Sequence, residues 1–141
     1  MKYHFRIHEE EQGFWAECIE LEVCVTQADT QAELVQNMQE ALNLYIQEPS
    51  NSDFLAPLPN DKIRKSRNVV EVAVEPEIAF AFMVRYHRIK NKLTQQQAAK
   101  KMGFKNLYSY QRLEKKCNAT LEMIMKLKYL FPKFSVDYTL A

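Results

Sequence analysis

Tyr3, Phe5 and Ile7 alternate with His4, Arg6 and His8, a period-two pattern that predicts an opening strand with one apolar face. Gln12-Gly13 supplies a turn, and residues 14–21 predict a second strand that completes a hairpin. The β-branched run 23–27 predicts a shorter third strand. Thr30 and Glu33 then stand in capping-box register and open a helix. Along it Leu34, Met38, Ala41, Leu42 and Tyr45 share one helical face, opposite Gln36, Gln39, Glu40 and Asn43. That helix has to stop before Pro49. Residues 49–67, with three prolines among Ser, Asn and Asp, read as a surface connection, and VVEVAV (69–74) as a returning strand. The first unit is β-β-β-α-β.

Pro76 ends that unit. Residues 78–91 predict a helix with Phe80, Phe82, Met83 and Tyr86 as its apolar material. Residues 93–114, LTQQQAAKKMGFKNLYSYQRLE, read as a helix-turn-helix. Thr94 and Gln97 have the form of a capping box, Ala98 and Ala99 allow a close helix crossing, and Gly103 suits the left-handed residue that ends a helix. An ordinary helical hairpin has the same periodicity, so charge has to separate the two readings. Residues 120–130 predict one more capped helix. The tail 131–141 alternates Phe134, Val136, Tyr138 and Leu140, as a strand or an arm lying on a second subunit would. The expected fold class is α+β: a β-β-β-α-β domain over 1–75, then an all-α helix-turn-helix domain over 76–141.

The formal net charge of +1 hides a division. Residues 1–60 carry two basic residues against eleven acidic ones, a balance of −9, and residues 76–141 carry thirteen against four, a balance of +9. A basic half suits a polyanion and an acidic half suits something basic, although charge can also serve only solubility. The basic half coincides with the helix-turn-helix, which favours DNA. No apolar run reaches the length of a membrane span and the N-terminus has no signal-peptide h-region, so a cytoplasmic protein is expected. Cys18, Cys24 and Cys117 are odd in number and lack paired metal-ligand spacing, which predicts reduced, half-buried fillers. Each half lies near the lower size limit for an adequate core, so oligomerisation is a natural supplement.

Catalytic chemistry finds little support. A β-β-β-α-β start resembles part of an RNase H-type fold, whose two-metal chemistry needs converging carboxylates. The polar positions of the first strand are instead His4, Arg6 and His8. His4 and His8 stand four residues apart on one strand face, about 13 Å, which reads as solvent-side rather than metal-binding. Cys18 has no histidine base near it in sequence, His87 sits beside Arg85 and Arg88 as part of a basic face, and Glu9-Glu10-Glu11 reads as a solvated loop. No phosphate-cradling glycine loop is present. The expectation is no catalytic residue, metal or cofactor. Trp15 and Glu17 fall on one strand face with Glu20 and Glu22 following. That is either an aromatic anchor beside charge on a binding surface or a core tryptophan with exposed neighbours.

The opening YHFRIHEEEQGFWAECIELEVCVTQADTQAELVQNMQEALNLYIQE resembles the N-terminal domain of HicB antitoxins. Its G-F-W-A-E strand, C-V-T-Q and D-T-Q-A-E-L helix start occur in the family's order. The later LTQQQAAKKMGFKNLYSYQRLE resembles the Cro/repressor-type helix-turn-helix that some of those antitoxins carry. The resemblance implies a partial RNase H-like domain and a type II toxin–antitoxin system. Its partner would be a small basic HicA-type toxin, an mRNA-cleaving ribonuclease, masked by the acidic domain while the C-terminal domain represses the operon. Trp15, Glu17, Glu20 and Glu22 are the candidates for toxin binding.

Two departures from the family pattern bear on geometry. Val23 stands where a Gly is frequent, and Ala28 replaces another. One extra residue also lies between Gly103 and Glu114. Counted from Gly103, the usual buried positions land on Ser109 and Arg112; one more turn residue moves them to Tyr110 and Leu113. The choice of register moves the base-contact assignments by one position; Asn106, Tyr108, Ser109, Gln111 and Arg112 are the candidates nearest DNA, where Arg, Gln and Asn can read base edges. Lys105, Lys115 and Lys116, with Gln95 on the preceding helix, are expected to grip phosphates of double-stranded operator DNA from a homo-oligomer. The competing expectation is a stand-alone repressor that senses a small molecule in an apolar pocket between Trp15 and the helix of residues 34–45.

Overall fold

The computed structural model describes residues 1–47 and 53–141. Pro49 itself lies outside the described residues, and the first helix ends before it, at Ile46. The chain is mixed α+β, with a four-stranded antiparallel sheet and six α-helices among the described residues. Two compact units divide it, residues 1–47 with 56–74 and residues 53–55 with 75–141. Residues 53–55 of the expected connection therefore group with the helical unit.

The first unit contains β1 (Lys2–Glu10), β2 (Gly13–Cys18), β3 (Val25–Ala28), α1 (Gln31–Ile46) and β4 (Val69–Ala73). Strand order is β3-β2-β1-β4 with every neighbour antiparallel. Gly13 closes the β1–β2 turn at φ 135°, and a Cβ there would stand 2.8 Å from the Ala28 carbonyl oxygen, so only glycine fits. Pairing places Phe5 opposite Cys18, Ile7 opposite Ala16 and Tyr3 opposite Val72. This face is the buried one, and α1 covers it with Leu34, Met38, Leu42 and Ile46. Each such aliphatic side chain contributes about 1.5–3 kcal/mol on burial. Asn43 is also buried, whereas Ala41 and Tyr45 are half-buried, so the helix is rotated slightly from the expected face. Thr30 caps α1 by accepting from the Glu33 amide. The side-chain amides of Asn37 and Gln39 donate to the carbonyls of Gln27 and Ala73, tying the helix to both edge strands.

β2 ends at Cys18 and β3 begins at Val25, so both strands are shorter than the sequence pattern predicts. The chain between them turns: the Cys18 amide donates to the Cys24 carbonyl at 2.8 Å, and Val23 adopts φ 62°. A β-branched residue in the left-handed region is strained, by about 1–2 kcal/mol or more. Val23 is 88% exposed, so little packing offsets the strain. Val23→Gly is expected to raise stability by about 1 kcal/mol after glycine's added chain entropy, a rise of several degrees in Tm. A thermal melt of the variant checks this; an unchanged or lower Tm would contradict it. The neighbouring cysteines are free and buried, and a hydrogen bond to Cys24, with burial second, holds the Cys18 thiol above its ordinary pKa.

The helical unit contains α2 (Pro76–Lys90), α3 (Gln95–Lys101), α4 (Leu107–Gln111) with a 3-10 turn Arg112–Glu114, α5 (Leu121–Leu130) and α6 (Val136–Leu140). Pro76 opens α2 as its first residue, where its fixed φ is pre-organised and its missing N–H costs nothing. The tail is a correction: 136–140 is a short helix, not a strand or arm. Ser135 caps it by accepting from the Tyr138 amide, and Phe134 and Thr139 are buried. The expected basic face around His87 is a second correction. Arg85 and Arg88 are buried, and the His87 ring lies 5.9 Å from that of Phe131 and 5.6 Å from that of Phe134. Burial lowers the His87 pKa, so the imidazole is neutral at pH 7. No helix among the described residues is long and apolar enough to cross a membrane.

Candidate nucleic-acid interface and open sheet face

Two left-handed turns set the angles between α2, α3 and α4. At the end of α2, Lys92 takes φ 56° while its amide and that of Leu93 donate to the carbonyls of Ile89 and Arg88. At the end of α3, Gly103 takes φ 78°, and its amide and that of Phe104 donate to Lys100 and Ala99. Both are Schellman closures. Between them the Thr94–Gln97 capping box is complete in both directions, at 3.1 and 2.9 Å. Ala98 and Ala99 are buried, as a close crossing requires.

Asn106 begins α4 as its cap, its side-chain oxygen accepting from the Ser109 amide at 2.9 Å and from the Ser109 hydroxyl at 3.0 Å. These two candidates therefore shape the start of α4 through each other. Tyr110 is fully buried and Leu113 nearly so, which fits the register with one added turn residue. Tyr108 and Arg112 are exposed with Gln111 half-buried beside them, a helical spacing that leaves one polar face outward, and the exposed Lys115 follows in extended backbone after the 3-10 turn. Gln111 donates to Gln95 at 3.1 Å, which joins the first turn of α3 to α4. Lys105 is exposed in the turn before α4. Lys116, expected on phosphates, instead pairs with Glu75 at 2.8 Å, an acid just before α2.

Beneath this face Arg88 of α2 donates from Nε and its terminal nitrogen to the two oxygens of Glu114, at 2.8 and 3.0 Å. Its other terminal nitrogen donates to the Leu93 carbonyl at 3.0 Å. One guanidinium thus holds the α2–α3 turn and the end of the α4 segment together. The two residues stand 26 apart, and spacing along the chain holds no signal for their pairing.

The chain matches no protein-family model and no curated protein. Its candidate sites rest on geometry and on the motifs of its sequence.

In the first unit the sheet face opposite α1 carries His4, Arg6, His8, Trp15, Glu17, Val25, Gln27 and Glu71 by strand register. Trp15 and Glu17 share it, as alternation predicts, and Trp15 is half-buried rather than part of the core. Its ring stacks on His8 at 4.0 Å and 13°, and His8 Nε2 lies 3.2 Å from Glu17 Oε1. Arg6 reaches the same carboxylate at 3.9 Å.

Glu20 behaves otherwise. Its side chain is 4% exposed and accepts from the His4 backbone amide, from His4 Nδ1 at 2.6 Å and from the Asn60 amide. His4 Nε2 also lies 3.7 Å from Glu71, so the imidazole stands between two carboxylates and is buried rather than solvent-side. Glu22 is exposed in the β2–β3 turn. Trp15, Glu17 and the exposed Glu22 are thus available to a partner, and Glu20 is occupied inside the unit. Trp15 and the apolar face of α1 lie on opposite faces of one sheet, and the open cavity of about 820 Å³ beside Trp15 is lined largely by polar residues and meets α1 only at Glu33.

Proposed function

We propose that this chain is a HicB-type antitoxin that represses its own operon. The observation that carries the reading is the helix pair α3–α4, with its complete capping box, left-handed Gly103 and outward face of Tyr108, Gln111 and Arg112, followed by the exposed Lys115. In that role Arg112 and Gln111 read base edges, Gln95 orients Gln111, and Lys105 and Lys115 meet phosphates. Asn106 and Ser109 set the start of α4, and Tyr108 lies over the sugar-phosphate edge.

The acidic unit would mask a small basic HicA-type ribonuclease. A basic RNA-binding surface is matched electrostatically by an acidic one, and the balance of −9 over residues 1–60 supplies it. Trp15 stacked on His8, with Glu17 beside it, is the anchor of that surface, and Glu22 stands on its rim. The sequence motifs of the first 48 residues support the same partner. The stand-alone sensor reading has less support, because the cavity beside Trp15 is open and largely polar rather than a closed apolar pocket.

Two measurements test the proposal. Co-expression with the short reading frame next to this gene, with only this chain tagged, is expected to recover a stoichiometric complex without RNase activity. Arg112→Ala is expected to weaken binding to the chain's own promoter by about 1–3 kcal/mol while random DNA loses much less. Equal losses on both DNAs would reassign Arg112 to a phosphate contact, and no binding to the promoter would sink the repressor reading.

A further inference from the structure

Helix α5 is apolar on two sides. Leu127 is fully buried, with Met123 and Ile124 half-buried, so that side belongs to the core of the helical unit. Leu121, Met125 and Tyr129 recur every fourth residue on the outer side and are 85%, 65% and 91% exposed. Beside Met125 and Tyr129 a groove of about 610 Å³ runs to Met102 at the end of α3 and extends the apolar surface. A helix with a second apolar stripe is built to be covered.

We infer that the cover is α5 of a second copy of this chain, crossing antiparallel about Met125. Such a two-fold contact sets Met125 on Met125 and brings Leu121 beside Tyr129 of the second copy. Charge selects this occupant. Glu122 and Lys126 lie along one flank of the stripe, 3.5 Å apart. The antiparallel dyad brings the same flank of the second copy alongside, with its lysine next to Glu122 and its glutamate next to Lys126. A self-complementary patch of this kind is the signature of an isologous interface. A stable interface buries about 800 Å² per partner, and one stripe with its groove supplies roughly half of that. The dimer is therefore weak by itself. The inference stands on helix geometry and holds whether or not the chain binds DNA. If it does, the dimer presents two α4 segments to two half-sites.

Sedimentation equilibrium of the full chain without DNA, over about 1–500 µM, tests it, with circular dichroism confirming that each variant folds. The wild type is expected to dimerise, and Met125→Glu to weaken association at least a hundredfold. Glu122→Lys and Lys126→Glu each collect four like charges and are expected to weaken it about tenfold. An equimolar mixture of those two variants is expected to recover it as a heterodimer. A wild type monomeric at 500 µM, a dimer indifferent to Met125→Glu, or a mixture no better than its components would overturn the inference.

Discussion

Arg88→Met is expected to lower the stability of the helical unit by about 3–5 kcal/mol, the usual cost of stranding one member of a buried ion pair. The Glu114 side chain is fully buried and that of Arg88 is 7% exposed, so water cannot replace the lost guanidinium. The same substitution removes the donor to the Leu93 carbonyl, which loosens the turn leading into α3. Promoter binding should fall with stability although Arg88 faces no DNA. Urea unfolding monitored by circular dichroism measures the loss. The double variant Arg88→Met with Glu114→Leu should recover most of it, because a well-packed apolar pair avoids the desolvation that the ion pair bears. A single-variant loss below about 1 kcal/mol would show that Glu114 finds other partners.

Trp15→Ala should have the converse signature. The indole stacks on His8 on the open sheet face and stands outside the core beneath α1, so removing it is expected to cost less than about 1 kcal/mol of stability. In the proposed complex it is a central aromatic anchor, and its loss should weaken toxin affinity by about 2–4 kcal/mol, some 30- to 1000-fold. Glu20→Gln reverses the pattern. It weakens the contacts to His4 and Asn60 and should lower stability while changing toxin affinity little. Calorimetric titration of the toxin into both variants, beside their melts, separates the two roles. Unchanged affinity with Trp15→Ala would move the toxin surface away from this face.

Much of the local structure was legible because its causes are local. Period-two alternation in residues 3–8, the Thr30 and Thr94 caps and the left-handed Gly103 each depend on neighbours within a few residues. The tail shows the limit of such reading. Its alternation of Phe134, Val136, Tyr138 and Leu140 fits a strand or an arm on a second subunit, yet the Ser135 cap starts a helical turn that buries Thr139. Five residues are too few for periodicity to tell helix from strand. Val23 shows the opposite case, in which the backbone keeps a conformation its own side chain opposes because the flanking strands demand the turn.

The sequence by itself determined the β-β-β-α-β order followed by helices, the division of charge, the helix-turn-helix stretch and the pairing of Trp15 with Glu17 on one strand face. Those properties follow from composition, spacing and alternation along the chain. Only the tertiary structure decided which charged groups are internal. Glu20 and Glu22 differ little as sequence, yet one carboxylate is enclosed by His4 and Asn60 and the other points to water. Arg88 and Glu114, 26 residues apart, meet in the core, while Lys116 is drawn to Glu75. Burial and pairing of charges depend on contacts between distant segments, and hydrophobic periodicity holds no information about them.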